Sequence, residues 1–110
     1  MNVSTTQENG FTEIVIEGSI DSKTAPLVKE KITPALDAAQ NVLLNLSQVD
    51  YLSSAGLRLL LLIYRAIAAK NRKLVLLGVS EEIQTVMSHT GFLKFFDLAD
   101  SRAAAIQSFS

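Results

Sequence analysis

Cysteine and tryptophan are absent from this 110-residue chain, and histidine occurs once, as His89. Without cysteine there is neither a disulfide nor a thiolate metal ligand, a usage compatible with a reducing cytoplasm. With a single histidine, near the expected end of a helix, no base is available for a Ser–His hydrolase, and a helix-dipole contact is the simpler role for His89. Charge of one sign is lacking too. Ten basic against 11 acidic side chains leave a net charge of -1, which gives no electrostatic grip on nucleic acid or anionic lipid. The greasiest stretch, Leu57 to Ile67, is interrupted by Arg58 and Arg65 and falls well short of the ~20 apolar residues of a membrane span. The first residues, Met1 to Thr6, contain neither the basic nor the apolar region of a signal peptide. There is no glycine-rich phosphate loop of Walker type and no metal-ligand spacing. These absences predict a cytoplasmic, non-enzymatic protein with no catalytic residue, no cofactor and no metal. What is present is a globular composition, 48% hydrophobic with two prolines and five glycines, sized for one domain over residues 1–110 with a single core.

The pattern along the chain alternates between the two periodicities. Val3–Gln7 and Phe11–Glu17 flank Asn9-Gly10, a strong hairpin signal because both residues tolerate positive φ. In the second strand Thr12, Ile14 and Ile16 share one face; Phe11, Glu13, Val15 and Glu17 share the other. Residues 18–22 read as a loop. Thr24 is placed to cap a helix with an early Pro26, whose apolar positions Leu27, Val28, Ile32, Ala35 and Leu36 recur at helical spacing. Pro34 inside that run predicts a kink or an early end. Val42–Leu46 is a short apolar run typical of a strand buried on both faces. A helix from about Ser54 to Lys70, a second buried strand at Lys73–Leu77 and a helix opened by Ser80-Glu81-Glu82 follow, with Gly91 placed to end that helix. Phe92–Leu98 reads as a last strand, and Asp100-Ser101 caps a closing alanine-rich helix. The order β-β-α-β-α-β-α-β-α predicts an α/β domain with a mostly parallel sheet of four to five strands, an antiparallel N-terminal hairpin and about four helices.

The segment Asp50-Tyr51-Leu52-Ser53-Ser54-Ala55-Gly56-Leu57-Arg58 stands where a strand hands over to a helix. Unpaired N–H groups at a helix start can be capped by a serine or can carry an anion. On spacing alone Ser54 reads as an N-cap, Gly56 as a small residue in the first turn that also lets a partner approach, and Asp50 as a cap for the turn around Tyr51. Arg58 reads as a solvated charge. Stepping about 100° per residue from Leu57 puts Leu60, Leu61, Tyr64, Ile67 and Ala68 toward the sheet and Arg58 and Arg65 away from it. Leu59, Leu62 and Ala66 occupy a third sector that an ordinary amphipathic helix makes polar. Either a neighbouring helix covers that sector or it is a docking surface for another protein. The exposure of Leu59 and Leu62 separates the two.

At this motif the chain resembles the STAS domains, in particular the stand-alone bacterial anti-sigma factor antagonists. Their Asp-Ser-(Ser/Ala/Thr)-Gly-Leu before a helix is matched by Ser53-Ser54-Ala55-Gly56-Leu57, after the strand segment Leu44-Asn45-Leu46-Ser47. Upstream, Gly18-Ser19-Ile20-Asp21 resembles the family's Gly-x-hydrophobic-Asp signature near the phosphoacceptor loop. The resemblance runs from the first hairpin to the last helix. It implies that Ser54 is phosphorylated by an anti-sigma factor that is also a serine kinase, that a serine phosphatase resets it, and that sigma-factor-dependent transcription is controlled by this partner switching. Taken with the docking-surface reading of the third helical sector, this makes Asp21, Ser53, Ser54, Ala55, Gly56, Arg58, Leu59 and Leu62 the expected partner-binding residues, with Asp21 otherwise a plain loop or capping acid. One departure stands out: the acidic residue that usually precedes the phosphorylated serine is replaced by Ser53, which is thereby an alternative acceptor. A second implication of the resemblance is a non-phosphorylated subunit of a membrane lipid or anion transporter complex. Neither implies direct contact with nucleic acid or insertion into a membrane.

Overall fold

Two apolar strands with side chains on both faces need cover on both sides, and the chain supplies it unequally. The computed structural model describes residues 1–110. Its elements are β1 (Asn2–Glu8), β2 (Phe11–Ile20), α1 (Ala25–Ala38), β3 (Asn41–Leu52), α2 (Ser54–Ala68), β4 (Leu74–Leu77), α3 (Glu81–His89), a 3-10 turn (Leu93–Phe95), β5 (Asp97–Ala99) and α4 (Arg102–Gln107). The five strands lie in the sheet in chain order; β1 pairs antiparallel with β2 and every later pair is parallel. This is the α/β arrangement that the alternation predicts.

One face of the sheet carries the main core. Ile14 and Ile16 of β2, Val42, Leu44 and Leu46 of β3, and Leu74 and Leu76 of β4 meet the buried stripes of α1, α2 and α3 there. Their alternate neighbours Phe11, Leu43, Val75 and Leu77 form a smaller cluster on the opposite face with Ala105 of α4. The period of two therefore sorts residues between two cores of different size, which is why β3 and β4 read as unbroken apolar runs.

Several boundaries differ from the expectation. Residues 18–20 are not loop: β2 continues to Ile20, and β3 runs on past Leu46 to Leu52, the two pairing as Gly18↔Val49, Ser19↔Tyr51 and Ile20↔Leu52. The register shifts twice along this extension, and each shift leaves one extra residue in β3. Leu46, Val49 and Leu52 are consequently buried at intervals of three rather than two. Asp50 thus lies in a strand and caps no turn. Pro34 does not shorten α1, which continues to Ala38. Leu27 is exposed, because the buried face of α1 is Ala25, Val28, Ile32 and Leu36. Thr24 precedes α1 but makes no side-chain cap. The Phe92–Leu98 segment turns once before the three-residue β5 instead of forming a longer strand.

Two glycines act as the pattern predicts. Gly10 takes φ +92° in the two-residue link between β1 and β2, while Asn9 stays at negative φ. Gly91, at φ +77°, closes α3: its N–H donates to Ser88 O at 3.1 Å and that of Phe92 to Met87 O at 2.8 Å.

Candidate functional site

The carboxyl ends of β2 and β3 fix where α2 begins. The Ser53 N–H donates to Ile20 O at 2.9 Å, which hangs the helix start on the last residue of β2. Gly56, in the first turn, lies directly over this junction. A Cβ there would come within 2.7 Å of Ile20 O and 2.6 Å of Leu52 Cδ1. Glycine is thus required by the protein's own backbone, and Gly56 is buried rather than offered to a partner.

The two serines do not hold the roles that spacing alone predicts: the cap is Ser53 and not Ser54, because the chain turns helical one residue earlier. Ser53, in extended conformation (φ −83°, ψ 178°), is the N-cap, and its Oγ accepts from the Gly56 N–H at 3.3 Å. Such a cap is worth about 1 kcal/mol. Ser54 is instead the first helical residue; its side chain is exposed and makes no hydrogen bond within the protein. The Leu57 N–H closes the first helical bond, to Ser53 O at 2.9 Å, so the N–H groups of Ser54 and Ala55 are left without a protein acceptor. An exposed hydroxyl thus stands beside two free donors at the positive end of a 15-residue helix. Arg58, one turn on, is exposed, with Nε 3.4 Å from Ser54 O.

Asp21 begins the β2–α1 turn but turns inward on that turn. Its carboxylate accepts from the N–H groups of Lys23 (2.9 Å) and Thr24 (3.0 Å). The Thr24 hydroxyl accepts from the Asp21 N–H at 2.9 Å and donates to Ser19 O at 2.8 Å. The Thr24 N–H first, and the Lys23 N–H second, hold the Asp21 carboxyl below its ordinary value of 3.8. A depressed folded value contributes stability that is present above the unfolded value and lost as pH falls through the folded one. The stability gap between wild type and Asp21→Asn, followed by urea midpoints, should accordingly be widest above about pH 5 and narrow toward about pH 3. A gap that stays constant or widens on acidification would contradict the assignment. On β3, Asp50 accepts from the Ser19 hydroxyl at 2.8 Å, tying β2 to β3 beside the bulges.

The buried stripe of α2 is Gly56, Leu57, Leu59, Leu60, Ile63 and Ile67. It is rotated from the expected one: Leu61 and Tyr64 are half-buried and Ala68 is exposed. The pair meant to separate cover from docking is split. Leu59 is 5% exposed and belongs to the main core, while Leu62 is 39% exposed. Leu59 and Gly56 therefore leave the set of surface residues; Ser54, Arg58 and Leu62, at intervals of four, remain as an exposed stripe on α2. Tyr51, 56% exposed on β3, is an addition that the sequence reading passed over, because the bulges erase the alternation that would have marked it. No helix is long and apolar enough to cross a membrane.

The STAS domain model matches residues 2–105. The anti-sigma-B factor antagonist of Staphylococcus aureus is 33% identical over 92 residues, which cover 83% of this chain and 85% of that protein. Among solved structures, an anti-sigma factor antagonist from Mycobacterium paratuberculosis superposes with a TM-score of 0.88 at 23% identity, over 98% of this chain and 92% of its own. The Bacillus cell fate determinant SpoIIAA has the same fold in its unphosphorylated form (TM-score 0.78, 18% identity, 97% and 96% covered) and its phosphorylated form (0.74, 19%, 97% and 99%).

Proposed function

This chain belongs to the STAS domain family, and on that premise we propose that it is an anti-sigma factor antagonist, a cytoplasmic regulatory binding protein rather than an enzyme, switched by phosphorylation of Ser54. The observation that carries this reading is the Ser54 hydroxyl, exposed and unpartnered at the first position of α2 beside two free N–H groups. Unphosphorylated, the protein binds an anti-sigma factor with serine kinase activity and so frees a sigma factor. The kinase moves the terminal phosphoryl group of a nucleoside triphosphate onto Ser54 Oγ; the hydroxyl proton passes to a base of the kinase and the diphosphate leaves. A serine phosphatase reverses the change by hydrolysis. The binding face comprises Ser54 and Ala55 at the helix start, Arg58 and Leu62 along α2, and the flanking Ser53 and Asp21.

Geometry also favours Ser54 over Ser53 as acceptor. The Ser53 oxygen already takes the Gly56 N–H, so phosphorylating it would disturb the cap, whereas the Ser54 oxygen has nothing to give up. A dianion at Ser54 suits the helix dipole, so the fold should survive it. Incubation with the cognate kinase, followed by peptide mapping in the mass spectrometer, should place a single phosphate on Ser54 and none on Ser53. Phosphate confined to Ser53 or to another residue would refute the switch as stated. Co-purification with a membrane transporter ATPase in place of a kinase would favour the transporter-subunit reading.

A further inference from the structure

Arg58 is a cation without an anion. Ion pairing in this protein is confined to Arg102, with Glu8 and Glu13, so Arg58 has no carboxylate partner. Nor does α2 offer one, since no Asp or Glu occurs between Ser54 and Ala68. The carboxylates flanking the helix start are engaged elsewhere: Asp50 with Ser19, and Asp21 within its own turn. The Arg58 side chain is exposed, but it is directed toward the amino end of the helix. It folds back over the first turn of α2, with Nε donating to Ser54 O at 3.4 Å. Helical side chains lean toward the amino end, so residue i+4 overlies residue i. The guanidinium thus lies one helical turn from the residue whose hydroxyl is exposed and unpartnered, with its Nε against that residue's carbonyl.

We infer that Arg58 is the internal counter-ion of phosphorylated Ser54, and that its capture by the phosphate is part of the switch. This inference rests on the reading of Ser54 as the phosphoacceptor. The planar fork of arginine matches two phosphate oxygens, and the pair closes within one helical turn already ordered by folding. In the unphosphorylated protein Arg58 is available to a carboxylate of the partner. Phosphorylation then adds negative charge to the binding face and withdraws a cation from it, so one modification changes the interface twice. Arg58 is a positioning residue here, since it takes no part in the transfer itself.

The test needs no kinase. Phosphoserine is introduced at position 54 during translation, and the phosphate resonance is followed by phosphorus NMR against pH in wild type, Arg58→Gln and Arg58→Lys. The second phosphate ionisation lies near ~6, and Arg58 should lower it by about 0.5 unit relative to Arg58→Gln. Arg58→Lys should fall between the two, because it keeps the charge but loses the fork. Raising the salt to about 1 M should shrink the difference. An Arg58→Gln protein that titrates together with the wild type overturns the inference, because the helix dipole, common to both, would then account for the whole environment. Failure of the Ser54 reading has a separate signature, a kinase that leaves Ser54 unmodified while the installed phosphate still titrates as described.

Discussion

Phosphate on Ser54 should weaken binding of the anti-sigma partner roughly 1,000-fold, and Ser54→Asp about 30-fold, with the fold of both intact. The first figure corresponds to a penalty of about 4 kcal/mol and the second to about 2 kcal/mol. The ratio follows from charge, since a phosphoserine carries about −1.5 to −2 and an aspartate one negative charge. Destabilisation of the free protein cannot be the source of the loss. The charge sits at the amino end of α2 beside the free N–H groups of Ser54 and Ala55, where an anion gains about 0.3–1 kcal/mol. The penalty must therefore arise in the complex, from desolvating the anion, opposing it to a partner carboxylate or withdrawing Arg58 from that partner. Titration calorimetry on the three proteins, with melting curves alongside, tests both halves. Affinity indifferent to the substitution would remove Ser54 from the interface. A melting temperature that falls steeply in Ser54→Asp would move the effect from the interface to the fold. Ser54→Ala should bind like wild type and resist the kinase.

Legibility of this chain in its sequence follows the regularity of its backbone. Where the period of two or 3.6 runs uninterrupted, as in Ile14/Ile16, Val42/Leu44/Leu46 and Val28/Ile32/Leu36, element type and buried face coincide with the pattern. The sheet order is legible for the same reason. The carboxyl ends of β2 and β3 were not, because two register shifts convert the spacing of Leu46, Val49 and Leu52 from two to three and surround them with exposed polar residues. That misreading conceals the exposure of Tyr51 and the Ser19–Asp50 hydrogen bond. At the candidate site the motif marks the junction but not the division of labour within it. Two adjacent serines are equivalent as letters; only the extended conformation of Ser53 and its bond from Gly56 N distinguish cap from first helical residue. Leu59 and Leu62 are likewise equivalent as letters, and only the inclusion of Leu59 in the main core separates them.

Gly56→Ala should destabilise the domain by about 2 kcal/mol, opposite in sign to what helix propensity alone gives. In a helix interior alanine is favoured over glycine by about 1 kcal/mol, and the position has no positive φ that would penalise a side chain. Contact decides otherwise. The new methyl group would meet Ile20 O at 2.7 Å and Leu52 Cδ1 at 2.6 Å. Leu52 can shift its side-chain end, but Ile20 O is backbone and is already bonded to the Ser53 N–H. Relief requires moving the first turn of α2 away from the ends of β2 and β3, which strains that bond and opens the core around Leu52 and Leu57. An overpacking cost of about 3 kcal/mol set against the ~1 kcal/mol propensity gain leaves the stated loss. Because the same turn carries Ser54, partner affinity should fall as well, even though Gly56 itself is buried. Urea unfolding reads the first effect, and affinity measured well below the unfolding midpoint reads the second. An alanine variant as stable as wild type would show that the helix start can slide along the strand ends, and the fixed presentation of Ser54 would then lose its structural basis.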